Sequence, residues 1–89
     1  MVVTKIIQTC GACPSQWEIN LKDGRMVYVR FRWAYLSVRI SENETNDIYK
    51  AVRGNEIIGK GIGDNGLDGF LTESELIGIM KVNRFKFKL

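Results

Sequence analysis

The sequence contains no histidine, a single proline and only two cysteines. The absence of histidine excludes catalytic triads that use imidazole, histidine-activated cysteine nucleophiles and imidazole metal ligands. No apolar run approaches the roughly 18 to 20 residues that span a bilayer, and the beginning MVVTKIIQT lacks the basic start and long apolar stretch of a signal peptide. We therefore expect a cytoplasmic protein without a membrane partner, whose cysteines are reduced or bind metal.

The chain has 89 residues, of which 45% are hydrophobic and 26% charged, which predicts one domain over residues 1–89. Its net charge of +3 conceals an uneven distribution. Residues 1–41 carry six Lys and Arg against two Asp and Glu, residues 42–80 carry three against eight, and residues 81–89 carry four against none. Either the acidic middle segment neutralises the basic ends in the fold, or the molecule has separate acidic and basic faces.

Alternating apolar residues predict an antiparallel β-meander. Trp17, Ile19 and Leu21 alternate with polar residues, and the loop at residues 22–24 has glycine where a three-residue hairpin needs a left-handed backbone. A loop of this length places Ile19 opposite Val27. A two-residue turn would shift the pairing by one and scramble the apolar face.

The same alternation continues to Trp33, and a turn around residues 34–35 would bring back a third strand. In this register Trp33 points inward, while on the other face Arg30 lies directly opposite Arg39 and Arg32 lies opposite Ser37. Like charges at directly opposite positions are destabilising unless something neutralises them.

Helix signals follow the meander. For the first helix, which ends at Gly54, Ser41 with Glu44 forms one candidate capping box. The competing N-caps are Asn43, Thr45 and Asn46. The second helix begins at Thr72, where Glu75 completes a capping box. Residues 84–89 alternate strictly and predict an edge strand. The fold class is therefore α+β, an antiparallel sheet with two short helices packed on its apolar face. A small, curled β-barrel decorated by helices is the alternative.

The polar face of the meander supplies the first candidate site. Its candidate residues are Tyr28, Arg30, Arg32 and Arg39. Arginine and tyrosine suit phosphate and nucleic acid, which predicts a small non-enzymatic binding module whose partner is a nucleic acid or an acidic protein. A solvated face, neutralised by carboxylates of the chain itself, is the simpler alternative.

The second candidate is the pair Cys10 and Cys13, whose spacing suits two thiolate ligands of one zinc ion. One pair is half of a zinc site, so the hypothesis requires carboxylate ligands or the same pair from a second protomer, as in a homodimer with a shared metal. Thioredoxin-like chemistry is disfavoured, because Pro14 follows the pair and no helix is evident. The acid and base groups of the sequence form no recognisable catalytic arrangement, which disfavours an enzyme.

The third candidate is the acidic stretch of residues 64–75, which resembles an EF-hand calcium loop. Asp64, Asp68 and Glu75 would be its ligands, but Gly66 stands where a carboxylate is needed and a glycine-rich segment replaces the incoming helix. A turn that leads into a capped helix explains the same residues.

Several short words of the sequence carry a resemblance. They are CPSQWE at residues 13–18, DGR at 23–25, RWAYLSVR at 32–39 and LDG followed by LTESEL at 67–76. With these words the chain resembles a group of small uncharacterised bacterial and phage-associated proteins that have no established activity. The resemblance implies a bacterial or phage setting and draws attention to Gln16, Glu18, Arg32 and Arg39.

Overall fold

The computed structural model of the protein describes residues 1–11, 15–62 and 71–89. The strands are β1 (Val2–Cys10), β2 (Ser15–Leu21), β3 (Met26–Arg32), β4 (Tyr35–Ile40), β5 (Asn55–Gly61) and β6 (Lys86–Phe87), and the helices are α1 (Ile48–Val52) and α2 (Glu73–Val82). Within the described residues the strands form one mostly antiparallel sheet, curled into a half-barrel, in the order β5-β4-β3-β2-β1-β6. The α+β class and the mostly antiparallel sheet are thereby confirmed.

The first hairpin is as the sequence predicts. Gly24 has φ of 93°, and the Leu21 amide donates to the Arg25 carbonyl at 3.0 Å. Ile19 pairs with Val27, and both side chains are fully buried. Glycine at the left-handed position therefore sets the register of β2 against β3.

The second hairpin differs from the prediction. Its turn residues are Trp33 and Ala34, with φ of 54° and 58°, so the turn is not at residues 34–35. Positive φ at both residues is the property of a type I′ turn, whose twist matches that of the flanking strands. Trp33 is consequently at the tip of the hairpin and 67% exposed, and the prediction that it points inward is wrong.

The new turn shifts the pairing of β3 and β4 by two residues. Arg30 pairs with Ser37, and Arg39 pairs with Tyr28, so the predicted pairs Arg30 with Arg39 and Arg32 with Ser37 are wrong. The assignment of residues to the two faces survives, because side chains alternate with a period of two. We call the sheet face that carries Tyr28, Arg30 and Arg39 the outer face.

The main core lies against the opposite face of the sheet. Strand residues from β1 to β5 form it together with Leu76 and Met80 of α2, which are fully buried. Helix α2 is also tied to β2, because the Trp17 indole donates to Glu73 Oε1 at 3.1 Å and the Ser15 hydroxyl accepts from the Leu71 amide at 3.1 Å. These long-range bonds hold the beginning of α2 against β2.

Helix α1 has a different position. It lies against β3 and β4, and its Val52 lines the same groove as residues of the outer face. Ala51 and Met26 are buried but do not belong to the main core cluster. The contacts therefore put α1 at one end of the outer face, whereas the sequence predicted both helices on the apolar face. Its N-cap is Asp47, whose side chain accepts from the Tyr49 amide.

The final strand forms one edge of the described sheet, as expected, but it is short. β6 covers only Lys86–Phe87 and pairs in parallel with β1. The preceding Phe85 is buried in the core. Neither described helix has the length and apolar character required to cross a membrane.

Candidate functional site

The residues predicted to bind an anion lie together on the outer face and line one open groove of about 630 Å³. These are Tyr28, Arg30, Arg32 and Arg39, and the remaining lining residues are Trp33, Tyr35, Ser37, Val52 and Glu56. We call this site the arginine groove. Strands β3 and β4 supply most of it, because their outer-face side chains recur at every second residue.

Arg30 lies in the middle of β3, between Gln16 on β2 and Ser37 on β4. Its side chain is half-buried, and its Nε atom is buried without a hydrogen-bond partner among the described residues. A buried donor without a partner costs about 1 to 3 kcal/mol, and more when the group is charged. Because this atom is closed to solvent, an anion in the groove would contact Arg30 through its terminal guanidinium nitrogens and not through Nε.

One terminal nitrogen of Arg39 takes part in a hydrogen bond within the fold. Its Nη1 donates to the Gly54 carbonyl at 3.1 Å, which joins β4 to the residue between α1 and β5. Its cross-strand neighbours are Tyr28 on β3 and Glu56 on β5. Arg39 therefore both holds the end of the groove and contributes positive charge to it.

Arg32 and Trp33 lie at the exposed end of the groove. The Arg32 guanidinium carbon is over the Trp33 ring, 5.4 Å from its centroid. Such a cation–π contact at an exposed site is worth roughly 0.5 to 1 kcal/mol. Most of the indole is accessible all the same, since Trp33 is 67% exposed.

Glu56 brings a carboxylate of the acidic middle segment into the groove. Its Oε1 accepts a 2.7 Å hydrogen bond from the Ser37 hydroxyl, and its Oε2 accepts a 3.1 Å hydrogen bond from the Tyr35 hydroxyl. The Ser37 bond, and then the Tyr35 bond and the charge of Arg39, lower the pKa of Glu56. The bond to Glu56 in turn raises the pKa of Tyr35.

The presence of Glu56 beside the arginines agrees in part with the simpler alternative from the sequence, in which carboxylates of the chain itself neutralise the arginines of a solvated face. Sequence reasoning did not single out Glu56, because its position depends on how β5 pairs with β4. A register shift in that pair lies between Val38 and Arg39. The sequence feature that could have indicated the position of Glu56 is Gly59. A Cβ at residue 59 would meet the Tyr35 hydroxyl and the Glu56 carboxylate.

A second depression, of about 540 Å³, lies where β4 leads into α1. Its charged lining residues are Glu42, Glu44, Lys50 and Arg53. Two acidic and two basic side chains give it no net charge. It is therefore a poorer site for a charged partner than the arginine groove.

The predicted zinc site is described only in part. Cys10 is the half-buried last residue of β1, opposite Gln16, and Cys13 lies outside the described residues. Across residues 1–11, 15–62 and 71–89, no three Cys, Asp or Glu side chains cluster in a way that could hold a metal ion. The zinc shared between protomers stays a prediction.

The predicted calcium loop is also described only in part, because Asp64 and Asp68 lie outside the described residues. Glu75 has the role that the alternative assigned to it. The Glu75 amide donates to the Thr72 hydroxyl at 3.1 Å and the Thr72 amide donates to Glu75 Oε1 at 3.1 Å, which forms a capping box. The Thr72 hydroxyl also donates to Glu75 Oε1 at 2.8 Å. The bonds to Thr72 lower the pKa of Glu75.

Comparison with protein families, curated proteins and solved structures yields no match to this chain. The resemblance carried by the short words therefore stays a prediction. The arginine groove has to be interpreted from its own chemistry.

Proposed function

We propose that this protein is a small non-enzymatic binding module that holds an anionic partner, in the first place a nucleic acid, in the arginine groove. One observation carries the proposal, namely that the side chains of Arg30, Arg32 and Arg39 line one open groove. Guanidinium groups that share a groove repel one another unless an opposite charge lies between them. An anionic ligand in the groove would neutralise them.

The charge of the groove supports the same conclusion. Among the residues that the structure describes, Arg30, Arg32 and Arg39 line it with one carboxylate, that of Glu56, which gives this lining an excess of positive charge. Guanidinium groups present planar pairs of donors that match phosphate oxygens. The three arginines favour anion binding although the register of β3 and β4 excludes a directly opposed pair of Arg30 and Arg39.

Binding assays with two matched double variants test the proposal. Arg30→Gln with Arg32→Gln removes two charges from the groove, and Lys22→Gln with Lys81→Gln removes two exposed charges elsewhere. Arg39 stays in place, because its bond to the Gly54 carbonyl belongs to the fold. Affinity for a short nucleic acid is measured at several salt concentrations, with polyglutamate as the acidic-protein probe.

We expect the logarithm of the wild-type association constant to fall by roughly 0.7 to 0.9 per contacted phosphate for each tenfold increase in salt concentration. The groove variant should weaken binding and reduce that slope by about one for each arginine removed, while the control variant keeps the wild-type slope. Absence of salt-sensitive binding by the wild type at low ionic strength would refute the proposal. Equal effects of the two variants would place the contact outside the groove.

The shared-metal alternative has no supporting observation in the described part of the chain. The same holds for a homodimer. Both stay predictions that native mass spectrometry under reducing conditions would test directly.

A further inference from the structure

We infer that the nucleic acid held by the arginine groove is single-stranded and that one of its unpaired bases stacks on Trp33. This inference rests on the proposed function and names the class of nucleic acid. Its basis is the position of Trp33, an exposed indole in a turn residue with positive φ.

Trp33 occupies a backbone position that suits another residue. It has φ of 54° in a two-residue turn, and Ala34 follows with φ of 58°, where Asn-Gly is the favoured pair. Positive φ is rare for bulky side chains, and such outliers concentrate at functional sites. The indole gains no burial in return, since Trp33 is 67% exposed.

The surroundings of the indole fit a nucleotide. Trp33 lines the same groove as Arg30 and Tyr35, and Arg32 lies over its ring. A base stacked on the indole would have its own phosphates near the arginines of the groove. Aromatic platforms beside a basic groove are the usual arrangement in proteins that bind single strands.

A duplex fits this site less well. Its bases are stacked on each other and paired, so their faces are not available to an indole. Reading the major groove usually takes a helix or a two-stranded ribbon that enters it, and Trp33 at a hairpin tip would then meet base edges rather than faces. The observations therefore favour unpaired bases.

A protein partner is also less well supported. The fully buried centre of a protein interface is mostly apolar. Among the described residues that line the groove there are three arginines, and Val52 is the one aliphatic side chain. That composition favours an anionic ligand over an apolar partner surface.

The test compares Trp33→Asn with Tyr49→Asn. Asparagine tolerates positive φ, so the first variant should be at least as stable towards urea as the wild type while it loses the aromatic ring. Tyr49 is 65% exposed on α1 and does not line the groove, so the second variant controls for loss of an exposed aromatic ring. Trp33→Phe keeps a smaller ring at the same position.

The probes are a twelve-nucleotide oligothymidine, a duplex of equal length and an abasic oligonucleotide of equal length. We expect the wild type to bind oligothymidine most tightly. Trp33→Asn should weaken that binding by roughly 5- to 100-fold and leave the salt dependence and the abasic affinity unchanged. Trp33→Phe should restore part of the loss, and Tyr49→Asn should bind like the wild type.

Intrinsic fluorescence gives a readout that a purely structural role would not change. Oligothymidine should quench the emission of the exposed Trp33, whereas Trp17, which is fully buried, should be insensitive. Equal affinity for the three probes, with no effect of Trp33→Asn, would overturn the inference. The proposed function would then still stand if the Arg30→Gln and Arg32→Gln variant weakens binding, and both fail if no probe binds with salt sensitivity.

Discussion

The Ser37 hydroxyl donates a 2.7 Å hydrogen bond to Glu56 Oε1, which fixes a carboxylate at one end of a groove lined by three arginines. The two residues are on neighbouring strands, β4 and β5. Ser37 therefore does more than occupy the position opposite Arg30. It orients the acidic group that lines the groove with the arginines and lowers the pKa of that group.

The first prediction concerns the pKa of Glu56. The Ser37 bond is the largest cause of its lowered pKa, so Ser37→Ala should move that pKa back towards the ordinary value. Ser74→Ala, an exposed change on α2, should leave it unchanged. Carboxyl-detected NMR titration measures both, and an unaltered pKa in Ser37→Ala would show that the hydrogen bond does not form in solution.

The same bond predicts how stability depends on pH. A carboxyl group whose pKa is lower in the folded than in the unfolded state adds stability above the unfolded value, about 4.3, and loses it as the pH falls through the folded pKa. Glu56→Gln should therefore lose less stability than the wild type between pH 6 and pH 3. Urea unfolding across this range measures the difference, and parallel curves would contradict the prediction.

Glu56 should also weaken the binding of anions. Glu56→Gln removes the only carboxylate that lines the groove among the described residues, so we expect nucleic-acid affinity to rise by roughly 2- to 5-fold at low ionic strength and less at high salt. Glu42→Gln changes an exposed acid that lines the other depression and serves as control. A decrease in affinity would mean that Glu56 contacts the ligand favourably.

Gly54 should be intolerant of any side chain. A Cβ at this position would collide with the backbone carbonyl of Ile40, a group that cannot move without disturbing β4. Gly54→Ala should therefore destabilise the protein by about 1 to 3 kcal/mol, as overpacked sites do. Arg39 would also lose its bond to the Gly54 carbonyl if that segment moves, so nucleic-acid binding should weaken in parallel.

Gly78 provides the matched control for this substitution. It is inside α2, and a Cβ there would have no neighbour within 4 Å. Gly78→Ala should stabilise the protein by about 0.5 to 1 kcal/mol, because alanine is the better helix former. Chemical denaturation of the two variants should give changes of opposite sign, and destabilisation by Gly78→Ala would contradict the position of α2.

The start of α2 is the last testable element. Thr72→Ala removes both hydrogen bonds of the Thr72 hydroxyl with Glu75, including the half of the capping box that caps the Glu75 amide, so it should cost about 1 kcal/mol of stability. Ser74→Ala in the same turn should cost less than half of that. Thermal unfolding of the two variants separates the cap from general effects of alanine, and equal losses would argue against the box.

Much of the fold follows from local sequence signals. The alternation around Ile19 and Val27 assigns both side chains to the core, and Gly24 sets the first hairpin through its left-handed backbone. Thr72 and Glu75 mark the start of α2 through complementary hydrogen bonds. Each of these signals acts over a few residues, so the sequence alone is sufficient to place them.

The pairing of β3 with β4 needed the tertiary structure. A shift of two residues keeps Arg30 and Arg39 on the same face, so the apolar pattern cannot distinguish the two registers. The size of Trp33 suggested burial, whereas the twist of a two-residue turn puts it at the exposed tip. The hypothesis that Arg30 lies directly opposite Arg39 was therefore wrong, whereas the prediction that both arginines are on the same face of the sheet was correct.

The sequence by itself determined which residues share a face and where the first hairpin and α2 begin, because hydrophobic period, glycine conformation and capping are local properties. Only the tertiary structure decided what the outer face contains. Glu56 can bond to Ser37 because the pairing of β5 with β4 is shifted and because Gly59 has no side chain to block the Glu56 carboxylate. Helix α1 lies at one end of the same face. These contacts join residues far apart in the chain, and no local pattern specifies them.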